Sequence, residues 1–338
     1  MAKSKNPPQN ILEFEDNSLF ALLVGEHDCN IARIEESLSV SLNTRGNQIA
    51  INGIDARAIE KAEAVLHTLY ERLEKGMSVS MDEVDAAIRM ATQSAKGKSG
   101  KGSEMKPLVS ANSTIKTRQK SVSPRTPNQA DYIDHLKDKD LVLGLGPAGT
   151  GKTFLAVAMG VAMMLEGKVE RIVLSRPAVE AGESLGFLPG DLKEKIDPYL
   201  RPLYDALYEM LPAETVVKKL AVGEIEIAPL AFMRGRTLSH CFVILDEAQN
   251  TTPVQMKMFL TRLGEGSRMV LTGDLSQVDL PKGTRSGLRD AKDVVTGMKG
   301  VGITHFTGED VVRHPLVTRI VNAYKEHDEK RGTSQAYG

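Results

Sequence analysis

The stretch LVLGLGPAGTGKTF, Leu141 to Phe154, constrains this chain more than any other. Within it, Gly146-Pro147-Ala148-Gly149-Thr150-Gly151-Lys152-Thr153 fits G-x-x-x-x-G-K-[ST], set between an apolar strand-like run and a helix-like run. In that context the pattern cradles a nucleotide phosphate. Its glycines let backbone N–H groups wrap phosphate oxygens at a helix N-terminus, where the dipole favours negative charge. Lys152 is placed to reach the β/γ-phosphates and Thr153 to supply a ligand to Mg²⁺. Phe154 closes the stretch and is counted with it. A loop of this kind joins a buried strand to a covering helix, so an α/β core has to surround it.

The rest of that core is readable from about Gln129 to Tyr324. Apolar runs LVLGL, RIVLS, EIEIAP, CFVIL, RMVLT and VGITHF alternate with helical segments, as expected for a mostly parallel sheet covered by helices. DVVRHPLVTRIVNAYKEH reads as a final helix, with no room for a second domain of the same kind.

Two strand ends carry further chemistry. CFVILDEAQN ends an apolar run on Asp246, suited to holding Mg²⁺, followed by Glu247, suited to orienting or deprotonating an attacking water. RMVLTGDLSQVDLP ends on Thr272-Gly273-Asp274, with Gln277 three residues on, where a polar sensor of the γ-phosphate would stand. Upstream, the Gln129 amide could pair with both donor and acceptor of an adenine edge and so select ATP; a surface residue at a helix start is the competing reading.

Before this core, residues 1–91 read as a small α+β domain. Apolar LFALLV, helical spacing in NIARIEESLSV, alternation through VSLNTRGNQIAI and a long amphipathic helix ending near Gly76 give the order β-α-β-β-α, extended by a helix at MDEVDAAIRMA. Residues 92–125 turn to Lys, Ser, Gly, Thr and Pro, with one acid, Glu104, among many bases. They read as a basic flexible linker, either a solvated tether or a strip for a phosphate backbone. The core then runs over 126–326, and 327–338 form a tail.

Charge is balanced over the 338 residues, 43 basic against 44 acidic, so any nucleic-acid surface has to be local. Two widely separated cysteines, Cys29 and Cys241, suggest neither a disulfide framework nor a zinc site and fit a cytoplasmic protein. The longest nearly apolar run, FLAVAMGVAMML, is too short to span a bilayer, so no membrane partner is expected.

The ordered series GPAGTGKT, ILDEAQN, TGDLSQVDLP, SGL and RHPLV strongly resembles the PhoH-like family of P-loop ATPases over about Gln129 to Tyr324. The core of that family is similar to the first motor domain of superfamily-one helicases, a RecA-like P-loop NTPase fold. The resemblance implies that Gln129 reads adenine, that Asp246-Glu247-Ala248-Gln249 is the acidic box and that Gln277 senses the γ-phosphate. It also implies ATP and Mg²⁺ as ligands, action on RNA, work beside RNA-processing nucleases and assembly as homo-oligomeric rings. The N-terminal unit resembles a KH-type RNA-binding module in element order, but Gly25-Glu26-His27-Asp28 stands where KH domains carry G-x-x-G. Two acids there make a poor RNA clamp, and protein contact is an equal reading.

A single motor domain lacks the arginine that a second would supply, so one is expected in trans across a closed oligomer. Arg313 is the preferred candidate, with Arg236 and Arg285 behind it. Arg176 and Lys193, in the Gly- and Pro-rich stretch after the second core strand, read either as RNA contacts lining a ring pore or as part of an insertion that packs on a neighbouring subunit, with equal weight. An RNA-dependent ATPase, an ATP-driven switch for a protein partner and a small-molecule kinase all fit the phosphate loop. The kinase fits least, because an Asp246-Glu247 pair suits the activation of water that a kinase must exclude.

Overall fold

The computed structural model describes residues 9–94, 114–177, 192–281 and 283–312, with 320 and 323. They fall into two compact units, the first built from residues up to 116 with 121–134 and the second from 117–120 with 135 onward. The final helix expected over residues 310–327, with Arg313, and the tail 327–338 lie almost wholly outside the described residues.

The first unit runs β1 (Gln9–Glu13), α1 (Asn17–Val24), α2 (Cys29–Leu38), β2 (Val40–Arg45), β3 (Gln48–Gly53), α3 (Ala56–Glu74) and α4 (Met81–Ser94). Its strands form an antiparallel sheet in the order β1-β3-β2. LFALLV, which stands first in the expected order, is helical, and the first strand lies upstream of it. The cause is local: the Asp16 carboxylate accepts from Ser18 N at 2.7 Å and Leu19 N at 3.2 Å, capping a helix there. Phe20, Leu23 and Val24 then fall on one buried face, packed with Ile34, Ile49, Ile51, Leu66 and Leu69. Between α1 and α2, Gly25 has φ 82° and His27 and Asp28 are left-handed at 53° and 59°, a tight turn across Gly25-Glu26-His27-Asp28.

The expected linker is folded at its C-terminal end. Residues 95–113 lie outside the described residues, but β4 (Ile115–Lys116) pairs with β5 (Ser121–Val122), and Ile115 and Val122, directly opposite each other, are both buried. Two apolar residues spaced to face each other across a four-residue turn suffice for this, and composition averaged over 34 positions hides them. The helix that follows, α5 (Pro127–Asp138), carries the division between the two units.

The second unit is the α/β core. Its elements are β6 (Leu141–Leu145), α6 (Lys152–Leu165), β7 (Arg171–Arg176), α7 (Leu192–Met210), α8 (Ala213–Ala221), β8 (Ile225–Pro229), β9 (Cys241–Leu245), α9 (Pro253–Leu260), β10 (Arg268–Gly273), α10 (Gly287–Val295) and β11 (Val301–His305). All six expected strands are present, paired in parallel in the order β11-β6-β10-β9-β7-β8. This is the expected α/β arrangement with a parallel sheet, and the strand before the glycine loop, β6, lies inside the sheet. β6 and β9 are buried at every residue, which is why they read as unbroken apolar runs.

Alternation divides the sheet's faces. Leu143, Leu145, Val243, Leu245, Met269 and Leu271 pack with Met256 and Phe259 of α9 and Leu288, Ala291 and Val295 of α10. On the opposite face Phe242 meets α6 at Gly160, where an added Cβ would lie 2.8 Å from the ring. Among the described residues, no helix is long and apolar enough to cross a membrane.

Gly160→Ala should therefore destabilise the protein by about 1–3 kcal/mol through overpacking, although alanine's helix propensity alone favours it by about 1 kcal/mol. Urea denaturation should show a lower midpoint, and the double variant Gly160→Ala/Phe242→Leu should recover part of the loss. An unchanged midpoint in the single variant would show that the ring moves aside freely.

Candidate nucleotide-binding site

The loop after β6 is held open by its neighbours. Gly146 N donates to Gly273 O at 3.0 Å, and Val312 N donates to Gly149 O at 3.1 Å. Gly149 and Gly151 both take φ 83°, a left-handed conformation that costs glycine little. A Cβ on Gly146 would lie 2.4 Å from Phe306 O, so no larger residue fits there. Thr150 is fully buried, its hydroxyl donating to Pro147 O at 2.9 Å. Ala148 and Gly149 form the exposed crest of the loop. Lys152 folds back beneath it, its Nζ donating to Gly146 O at 2.7 Å and Pro147 O at 2.8 Å. Burial pushes the Lys152 pKa below the ordinary lysine value, while the carboxylates of Asp274, Asp246 and Glu247 pull it back up. Beyond Thr153, Phe154 is half-buried, with Lys120 Nζ 5.3 Å from its ring centre.

Across from the loop stands Asp246 at the end of β9. Its Oδ1 accepts from Thr153 Oγ1 at 2.6 Å and from Thr272 Oγ1 at 2.7 Å, so one buried carboxylate oxygen joins the phosphate loop to β10. Its backbone N donates to Ser175 O at 2.9 Å, continuing the β7–β9 ladder. The next residue, Glu247, is left-handed, at φ 51° and ψ 37°, which is uncommon for a residue with a side chain. That turn brings its carboxylate between Arg176 NH2, 3.4 Å from Oε1, and Gln249 Nε2, 2.5 Å from Oε2.

Gln249 is the residue whose importance the residue pattern least suggests. Only 1% of it is exposed. Besides its bond to Glu247, Nε2 donates to Gln277 O at 3.2 Å, and Oε1 accepts from Asp274 N at 3.1 Å. Asp274 is itself buried: Oδ1 accepts from Ser276 N and Oγ, while Oδ2 has no hydrogen-bond partner. Gln277, expected as a sensor, joins this network through its backbone carbonyl, and its side chain is exposed.

The remaining expectations fare differently. Gln129 is buried in the first turn of α5, its Oε1 accepting from Arg125 N at 2.7 Å, so it is not the surface residue of the competing reading. Arg236 forms a two-pronged pair with Glu226 at 2.6 and 2.7 Å, which lowers the Glu226 pKa chiefly through the side-chain hydrogen bond. Arg285 pairs with Asp290 and Asp293. Both are thus engaged within the chain, and Arg313 lies outside the described residues. Arg176, read as an RNA contact, stands at Glu247; the Lys193 side chain is outside the described ones.

These residues fit a nucleotide triphosphate with Mg²⁺. Thr153 Oγ1 and Asp246 Oδ1 are adjacent hard oxygens, and the buried Asp274 Oδ2 is unpartnered. Among the described residues no group of three or more His, Cys, Asp or Glu is arranged to hold a metal ion. Thr153 Oγ1 and Asp246 Oδ1 are oxygen donors of the kind a Mg²⁺ that also binds phosphates would take.

A family model described as PhoH-like protein matches residues 121–325. A PhoH-like protein of Bacillus subtilis (strain 168) is 47% identical over 326 residues, spanning 96% of this chain and 97% of that protein. A PhoH-like protein of Mycobacterium tuberculosis (strain ATCC 25618 / H37Rv) is 48% identical over 307 residues, 91% of this chain and 85% of the relative. Protein PhoH of Escherichia coli (strain K12) is 46% identical over 202 residues, 59% of this chain and 57% of that one.

The depressed Lys152 pKa has a stability consequence. Between that folded value and the unfolded value of about 10.4, the unfolded chain binds more protons, so stability rises with pH across this window. The cost of the buried ammonium is present below the window and gone above it. The stability difference between wild type and Lys152→Met should therefore shift in favour of wild type as pH rises toward 10, and a flat difference in chemical denaturation would contradict this burial.

Proposed function

The chain belongs to the PhoH-like protein family, and on that premise we propose that it is a Mg²⁺-dependent ATP hydrolase acting on RNA. The observation that carries the hydrolase reading is the shared oxygen of Asp246, which accepts from Thr153 of the phosphate loop and Thr272 of β10. It sets a carboxylate and a hydroxyl side by side at the mouth of a loop whose backbone can take phosphate oxygens. Thr153 and Asp246 would hold Mg²⁺, which when bound neutralises charge on the phosphate oxygens. Lys152 would exchange its loop carbonyls for the β/γ-phosphates. Glu247, one residue beyond Asp246 with its side chain 37% exposed, would orient the attacking water and take its proton. Gln277 would sense the γ-phosphate, and Gln129 would read adenine.

RNA is supported by the family resemblance and by the exposed Lys116 and Arg118 beside the basic run. Backbone contacts of that kind are sequence-tolerant and salt-sensitive. With Arg236 and Arg285 engaged in their own chain, an arginine supplied in trans, with Arg313 first, calls for a homo-oligomeric ring.

A second reading, an ATP-driven switch for a protein partner such as a ribonuclease, is favoured by one observation. Ser286 Oγ donates to Gln249 O at 2.8 Å and Gly287 N to Thr251 O at 2.6 Å, tying the acidic box to the start of α10, which exposes Val294. A nucleotide-dependent shift would be passed to that helix.

Steady-state ATP hydrolysis across a protein concentration series, with and without single-stranded RNA at two salt concentrations, separates the readings. Glu247→Gln should still bind ATP but lose hydrolysis by about 10²- to 10⁴-fold; full turnover in that variant would move the base elsewhere. A salt-sensitive rise with RNA supports the RNA enzyme. A rate that climbs with protein concentration but ignores RNA supports the switch.

A further inference from the structure

Resting on the reading of Glu247 as the base, we propose that Gln249 is a positioning residue that makes the action of Glu247 depend on the sensor loop carrying Asp274 and Gln277. The amide has two ends and both are used across the gap between β9 and β10. Nε2 reaches Glu247 Oε2 at 2.5 Å and Gln277 O at 3.2 Å, and Oε1 takes Asp274 N at 3.1 Å. Because Gln249 is 1% exposed, water cannot substitute for these partners without a cavity opening.

Packing fixes the amide as firmly as its hydrogen bonds do. At Gly273 an added Cβ would lie 2.5 Å from Gln249 Oε1 and 2.6 Å from Leu288 Cδ2, so the glycine is where the side chain passes. A displacement of the 274–277 loop on meeting a phosphate therefore pulls the same amide that holds the Glu247 carboxylate. Glu247 offers little resistance of its own, since its left-handed backbone is a sparsely populated conformation maintained by its surroundings. The coupling runs from Gln277 through Gln249 to Glu247, and it would keep water activation in step with phosphate occupancy.

The test is a double-mutant cycle on kcat and KM for ATP. Gln249→Met keeps the side chain's approximate volume and removes the amide. It should lower kcat by about 10- to 100-fold with KM for ATP within about twofold, because the lost interaction serves the transition state and not binding. In the Glu247→Gln background the same substitution should cost nothing further, since residues that act as a unit are non-additive. An equal loss in both backgrounds, or a rise in KM matching the fall in kcat, overturns the proposal and leaves Gln249 a packing residue. Should Gln249→Met fail to fold, Gln249→Asn keeps the amide but is one methylene too short to span both loops, and it should show the same split; wild-type kcat in that variant overturns the proposal. Wild-type hydrolysis by Glu247→Gln alone would instead sink the base assignment, a result distinct from an additive cycle.

Discussion

Parallel register is the constraint on which the site depends. In a parallel sheet every strand delivers its C-terminal end to the same edge, and β6, β10, β9 and β7 end there within a residue or two of one another. Leu245 lies opposite Leu271, so Asp246 comes up beside Thr272 and their 2.7 Å hydrogen bond follows from the ladder. Leu145 lies opposite Gly273, which sets the phosphate loop beside Asp274. Ser175 lies opposite Leu245, which brings Arg176 to Glu247. A one-residue slip in any of these pairings would turn the alternating side chains to the wrong face and dismantle the constellation.

The same edge holds its polar groups by mutual satisfaction rather than by exposure. Asp246, Gln249, Asn250, Thr272 and Asp274 are all buried, and each but Asp274 Oδ2 has a partner accounted for in the bonds around it. Asn250 Oδ1 accepts from Asp279 N at 2.9 Å, so the loop after β10 is fastened to Gln249 through residues 274 and 277 and to the adjoining Asn250 through residue 279. Buried networks of this kind are costly when half-satisfied. That cost is a reason for the loop and the acidic box to move together when either meets a ligand.

Much of this was legible in the sequence because buried parallel strands have no solvent face and so appear as uninterrupted apolar runs. LVLGL and CFVIL could hardly be anything else, and the polar residue ending each such run marks the ligand edge. What stayed hidden was decided by single contacts. Asp16 turns LFALLV into a helix by capping it, and Ile115 opposite Val122 folds a hairpin out of a segment that averages as linker. The place of Arg176 beside Glu247 is hidden in the sequence because it follows from a strand register that only the sheet order fixes. Gln249 reads in the sequence only as part of a motif, because a glutamine's two-ended amide has no visible purpose until both neighbours are in place.

The charge at the site bears on why hydrolysis there would require a divalent cation. Three carboxylates, Asp246, Glu247 and Asp274, face two cations, Lys152 and Arg176, and the first of these cations is already turned toward loop carbonyls. A polyphosphate approaching that edge meets more like charge than unlike, in a partly buried setting where such repulsion is weakly screened. Backbone N–H groups of the glycine loop would offset part of it. A divalent cation arriving with the phosphates would offset that repulsion, and Asp246 and Thr153 are the residues that would hold it. The acids that would repel a bare nucleotide are thus the groups that would make its metal complex the preferred ligand.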